Sequence, residues 1–286
     1  MSSHEVSEYA IYRQVVSQLM QGEEQLPSLP TITLDIRRAL VEPQTTVTQL
    51  ARLISRDPAL SALLMKYACS TLYRQSRQPQ SLHEVIQLLG MREVDRITMA
   101  HSIKSLFTLH SPTHKQLFID SWQRLVLKAS ICSMLARLLS RIAPEHALLA
   151  SLLSEVGTLA VLSAFKDEDA IPSSELYFKL CREYSKPLSI IVLKKWAVDN
   201  EYIDVIRSTG HWHISRGQSL NLTDLVNLAL YHALKERDAA SHLPPLTELA
   251  AYQKLFPPQD FIGENGELSL VIQHRGDIQA IAQTLH

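Results

Sequence analysis

SLLSEVGTLAVL, residues 151–162, reads as a buried helix that ends near Gly157, with Ser154 and Glu155 side by side in its apolar run. Such a pair has three readings: the remnant of a metal site, a working catalytic dyad, or ordinary helix surface. The choice decides whether the chain is an enzyme. Outward from this stretch, Pro144 opens the helix that contains it, since a proline at the first helical position loses no needed N–H. Just upstream, LFIDSWQRLVLKASICSMLARLLS keeps Trp122, Leu125, Ala129, Cys132, Leu135 and Leu139 on one inward stripe. Downstream, the spacing predicts helices at 173–184, 187–198 and 221–237, with Pro172 and Pro187 marking two of the starts.

The first third follows the same 3.6-residue pattern. In TTVTQLARLIS, Thr46 and Gln49 form a capping box, and Val47, Leu50, Ala51 and Ile54 share a face. Asp57 caps the next helix, Pro58 takes its first position, and Leu60, Leu63, Leu64 and Tyr67 turn inward. A second capping box, Ser81 to Glu84, opens SLHEVIQLLG, and Gly90 closes it before MREVDRITMAHSIKSLF continues in helix. Near the other end, FIGENGELSLVI sets an Asn265-Gly266 turn between short apolar runs and predicts a small hairpin, followed by a short helix or a frayed end. The fold class is all-α.

Composition narrows the function. The 286 residues are 46% hydrophobic and 20% charged with a formal net charge of −1, so collapse is assured and no overall field draws nucleic acid or anionic lipid. Cys69, Cys132 and Cys181 are odd in number and far apart, which predicts reduced core thiols in a cytoplasmic protein. The polar, acidic start and the lack of an uninterrupted apolar run of about 18 residues argue against secretion and membrane insertion.

Several local patterns offer chemistry and give little. The helix–turn–helix at 46–68 has the length to enter a major groove, but the outer face of its second helix shows little beyond Ser61, Lys66 and alanines. His110 and His114 have ligand spacing, broken by Pro112, and read as exposed loop residues. His211 and His213 would point the same way only in an extended segment and lack a third ligand. Residues 166–169, Lys-Asp-Glu-Asp, read as a solvated helix end.

The order LPSLPTITLDI, QLARLISRDPAL, LLMKYACSTLY, SLHEVIQLLG, MREVDRITMAHSIKSLF resembles an HDOD domain from about Glu24 to about Arg216. HDOD domains are output-domain relatives of the HD-type metal phosphohydrolases, and here Cys69-Ser70 stands where the family usually has Asn-Ser. The resemblance implies an HD-like helical bundle. It also implies where an HD metal site would lie: its first His falls at Arg124, its His-Asp pair at Ser154 and Glu155, and its last Asp near Leu230. The extra histidines of two-metal relatives fall near Ser185 and near Thr209 and Gly210. Of these only Glu155 can ligate, while a catalytic metal wants about three protein ligands. Arg124 would oppose a divalent cation, and an Arg124–Glu155 ion pair is the expected substitute.

The resulting expectation is an N-terminal helical lead over 1–23, an HDOD domain over 24–220 divided near residue 112, and a C-terminal helix and extension over 221–286. The expected function is a non-catalytic bacterial signalling module with no metal or other cofactor. It would bind a protein partner, with a small ligand in the crevice between the helical parts as a further option, and would engage neither nucleic acid nor membrane. The competing expectation is a metal-dependent phosphohydrolase that combines Glu155 with His146, His211 or His213 in an unconventional shell.

Overall fold

The computed structural model describes residues 3–22, 26, 28–69, 73, 78–106, 112–165, 172–235, 243–255 and 261–285, and three quarters of the chain is helical. It forms two compact units, one of Met1–Ser28 with Phe107–Gln279 and one of Leu29–Leu106 with Ala280–His286.

The smaller unit is built on α2 (Thr31–Val41), α3 (Val47–Ile54), α4 (Pro58–Ala68), α5 (Leu82–Leu89) and α6 (Met91–Leu106). Its caps follow the local signals. Thr46 and Gln49 make the full reciprocal box, and the Asp57 carboxylate accepts the Leu60 N–H at 2.9 Å with Pro58 at the first helical position. Ser81 caps α5, but the Glu84 carboxylate turns to the Gln80 N–H at 2.9 Å, so the second box is only half formed. Gly90 ends α5 at φ +79°, a backbone region that suits glycine. Ile36, Leu50, Ile54, Leu60, Leu64 and Ile86 fill the core, with Leu63 and Val47 packed partly buried against it. Cys69, at the C-cap of α4, is exposed and not a core thiol; Cys132 and Cys181 are buried as expected.

The larger unit holds α1 (Ser3–Gln21), α7 (Pro112–Leu139), α8 (Pro144–Ser154), α9 (Val156–Ser163), α10 (Ser174–Lys195), α11 (Asn200–Ser208) and α12 (Leu222–Lys235). Two 3₁₀ turns, Leu246–Glu248 and Tyr252–Lys254, follow, then α13 (Ser269–Gln273) and the start of α14 (Arg275–Leu285). The stretch 151–162 lies at its centre, but not as one helix: α8 stops at Ser154, Glu155 takes φ −126° and ψ 16°, and α9 begins at Val156. Ala147 to Ser154 and Val156 to Leu162 are all buried, the pattern of a helix surrounded by others. Taken together, Pro144–Ser163 is 20 residues long and apolar enough to span a bilayer, which corrects the expectation that no such stretch exists. Of its most apolar 18-residue window 83% is buried in the protein, and these helices pack against α7, α10 and α12.

Three elements depart from the sequence pattern. Pro187 lies inside the single helix α10 and does not start a new one. A proline there removes one N–H from the ladder, a loss set against extensive packing on α9. The two helices meet closely because residue 157 is glycine: a Cβ would stand 1.9 Å from the Ser185 carbonyl oxygen, and the Gly157 N–H donates to Ser189 Oγ at 2.8 Å. α11 was not anticipated, although Tyr202, Ile203, Val205 and Ile206 bury one face of it. The expected hairpin reduces to one antiparallel bridge, Ile262 to Leu268, around Gly266 at φ +68°. Leu270 to Ile272, in the apolar run after the turn, belong to α13, so among the described residues there is no sheet.

Candidate functional site

Glu155 owes its position to the break between α8 and α9. Its carbonyl still accepts the Thr158 N–H at 2.9 Å, but its own backbone leaves the helical region and its carboxylate turns toward α7. The group it meets there is Lys128. The ammonium of Lys128 makes a short charge-assisted bond to Glu155 Oε1 and donates to Ser154 Oγ at 2.8 Å. The Lys128 side chain is 2% exposed and that of Glu155 30%, so the pair reaches from the core toward the surface. Lys128 lies one helical turn after Arg124. The Arg124 guanidinium itself lies over the Phe178 ring of α10, 3.5 Å from its centroid. The ion pair that the structure shows on Glu155 is made by Lys128, one turn along the same side of α7 from the expected arginine.

Ser154 beside a buried lysine invites comparison with a serine–lysine catalytic pair. The hydrogen bonds run the wrong way for that chemistry. Ser154 Oγ donates its own proton to the Ser151 carbonyl at 2.7 Å and accepts from Lys128. A general base must accept the serine proton, whereas Lys128 donates to Ser154 Oγ and to Glu155 Oε1 and the serine proton goes to a backbone carbonyl.

Around this pair α7, α9 and α10 share a run of hydroxyl contacts. The Tyr177 hydroxyl donates to the Thr158 carbonyl at 2.8 Å and lies 3.1 Å from Ser121 Oγ. Thr158 Oγ1 is 3.1 Å from Ser185 Oγ. Burial raises Tyr177 well above its usual pKa and pushes the Cys181 and Cys132 thiols up to about 12, so neither thiol is a nucleophile at neutral pH.

The expected site residues thus fall into separate groups. Ser154 and Glu155 share Lys128, and Ser185 reaches the next turn of α9. Thr209 and Gly210 close α11: the Thr209 carbonyl accepts from Lys186 at 3.1 Å, and the Gly210 N–H donates to Asn227 Oδ1 of α12 at 2.8 Å. Leu230 is half-buried on α12. His146 Nε2 stands 3.2 Å from Glu201 Oε2, with its ring edge-on to Tyr202. His211 is exposed, and His213 Nδ1 lies 3.3 Å from the Glu248 carbonyl. Pro112 begins α7; His110, the side chain of His114 and the acidic run at 166–169 lie outside the described residues. Among the described residues no three His, Cys, Asp or Glu side chains gather as a metal-holding group.

Two features escaped the sequence reading. Lys128 carried a signal, because it sits three residues after Leu125 and four before Cys132 on the inward stripe. The second is Asp224, which is buried at the start of α12. Its carboxylate accepts from Lys254 Nζ at 2.7 Å, from the Asn221 N–H at 3.0 Å and from Ser215 Oγ. Lys254 also donates to the Arg216 and Ser219 carbonyls.

The profile of the HDOD domain matches residues 26–211, well over half of the chain. The chain belongs to the HDOD family. Its fold matches that of a Shewanella amazonensis protein named "Putative metal-dependent phosphohydrolase", with a TM-score of 0.73 at 18% identity, over 96% of this chain and 99% of that one. It is also similar to a Marinobacter aquaeolei protein named "Putative signal transduction protein", with a TM-score of 0.58 at 20% identity, over 97% of this chain and 66% of that one. At such identities the likeness shows the fold. Over 126 residues the chain is 29% identical to the uncharacterized protein YuxH of Bacillus subtilis, covering 44% of this HDOD chain and 30% of YuxH.

Proposed function

We propose that this HDOD chain is a cytoplasmic bacterial regulatory module that works by binding a protein partner in a signalling pathway, with its HD metal site lost. The observation that carries this reading is the Lys128 ammonium held between Ser154 Oγ and Glu155 Oε1. A divalent ion there would face a fixed positive charge and would find one carboxylate where about three ligands are needed. The donor set therefore does not fit the metal of an HD phosphohydrolase. Of the histidines an unconventional shell would combine with Glu155, His146 stands at Glu201 and His213 at the Glu248 carbonyl, while His211 is exposed. The likeness to a signal-transduction protein agrees with a regulatory role.

The test is elemental analysis of the purified chain after dialysis, with and without prior loading by manganese, iron, nickel or zinc. The expected content is far below one equivalent, with no hydrolysis of phosphomonoesters or phosphodiesters above background. A tightly held equivalent, with hydrolysis lost on Glu155→Gln, overturns the reading.

A further inference from the structure

A cavity of about 390 Å³ opens among α7, α12 and the segment that leads through α13 into α14, and it shares no lining residue with the Lys128 cluster. Leu127 and Ile131 of α7 with Val271 and Ile278 form its apolar walls. The polar side is made by four groups of different character. His232 is buried, and its Nε2 accepts the Leu268 N–H at 3.2 Å, which leaves the ring proton on Nδ1 and the ring neutral. Among the described residues Glu267 Oε2 has no hydrogen-bond partner, and the atom is closed off from solvent. Lys235 gives one proton to the Asn265 carbonyl at 2.6 Å and keeps two to offer. Arg275 is exposed.

Each feature constrains an occupant. Glu267 lines the cavity as a carboxylate, an acceptor to which a ligand O–H or N–H can donate. Two cations against one anion favour a ligand with a net negative charge. The volume lies toward the small end of ligand pockets, roughly 300–1,000 Å³, and suits one ring with a short polar chain. We propose that this cavity binds a small amphiphilic carboxylate. Its apolar body lies against Leu127, Ile131, Val271 and Ile278, its carboxylate faces Lys235 and Arg275, and a neighbouring hydroxyl or amino group donates to Glu267. The proposal does not depend on the regulatory reading: a hydrolytic chain would carry the same cavity.

Titration calorimetry of the full chain with three probes tests it. 3-Phenyllactate has ring, carboxylate and hydroxyl, 3-phenylpropionate lacks the hydroxyl, and 3-phenyl-1,2-propanediol lacks the carboxylate. The expected result is saturable binding of phenyllactate with a Kd of about 1 mM or lower, weakened about tenfold by either deletion. Arg275→Gln, an exposed change, should weaken both acids and leave the diol unchanged. Glu267→Met should erase the preference for phenyllactate over phenylpropionate. No saturation by about 10 mM, equal affinity for all three probes, or indifference to both substitutions in a normally melting protein overturns the proposal.

Discussion

Lys128–Glu155 and Asp224–Lys254 are both salt bridges with a deeply buried member, yet the exposed partner is the carboxylate in the first, while in the second Asp224 is 1% and Lys254 9% exposed. Lys254 is met by three oxygens and the Asp224 carboxylate by three donors, so that pair ties residues 215–221 and the Tyr252–Lys254 turn to α12. Lys128 is met by two oxygens, both from the break between α8 and α9. A saturated network clamps a loop. The sparser pair stands where α7 meets the break between α8 and α9.

The contrast predicts unequal costs. Asp224→Ala should be the most damaging change, about 4 kcal/mol by urea denaturation, because it strands the lysine and also frees Ser215 and the Asn221 N–H. Glu155→Ala should cost about 3 kcal/mol, less because the lost carboxylate is part-exposed and Ser154 still receives Lys128. If the order is reversed, the Asp224 network is not the stronger clamp.

A third buried polar group in the same unit sharpens the comparison by titrating. Burial, with Lys235 adding to it, lowers His232 to about 4, so in the folded chain it resists protonation. The unfolded chain, near pH 6.5, takes up that proton first, so stability falls as pH drops from about 6.5 toward 4. At pH 5 the difference from pH 8 attributable to this residue is about 2 kcal/mol. His232→Gln, which keeps an acceptor for the Leu268 N–H, should flatten that part of the stability–pH curve.

What the sequence disclosed about this fold follows the range of the interactions involved. The Thr46 box and the Asp57-Pro58 start are encoded within four residues and stand in the structure as expected. Pro187 misled because a local rule was overridden by the contact of α10 with α9 at Gly157, whose bond to Ser189 spans 32 residues of sequence. The Asn265-Gly266 turn is real, but a turn cannot extend a hairpin whose next apolar residues have a better use in α13. For the candidate site, Glu155 as an ion-pair carboxylate was legible from charge logic, and its partner was not. Arg124 and Lys128 occupy the same helix face one turn apart; Lys128 reaches Glu155, and the Arg124 guanidinium lies over the Phe178 ring.

The smallest expected effect is the most informative about the sparser pair. If Lys128 and Glu155 hold α7 to the α8–α9 break mainly by satisfying each other, replacing both at once with apolar residues should cost little, since neither charge is left alone. Lys128→Met with Glu155→Leu should therefore lie within about 1 kcal/mol of the wild type, against about 3 kcal/mol for Glu155→Ala. The unpaired cost then falls on Ser154 Oγ, which keeps its bond to the Ser151 carbonyl. A double variant as unstable as the single one would mean that the charges do more than cancel, and that this corner of the HDOD bundle is a clamp of the Asp224 kind.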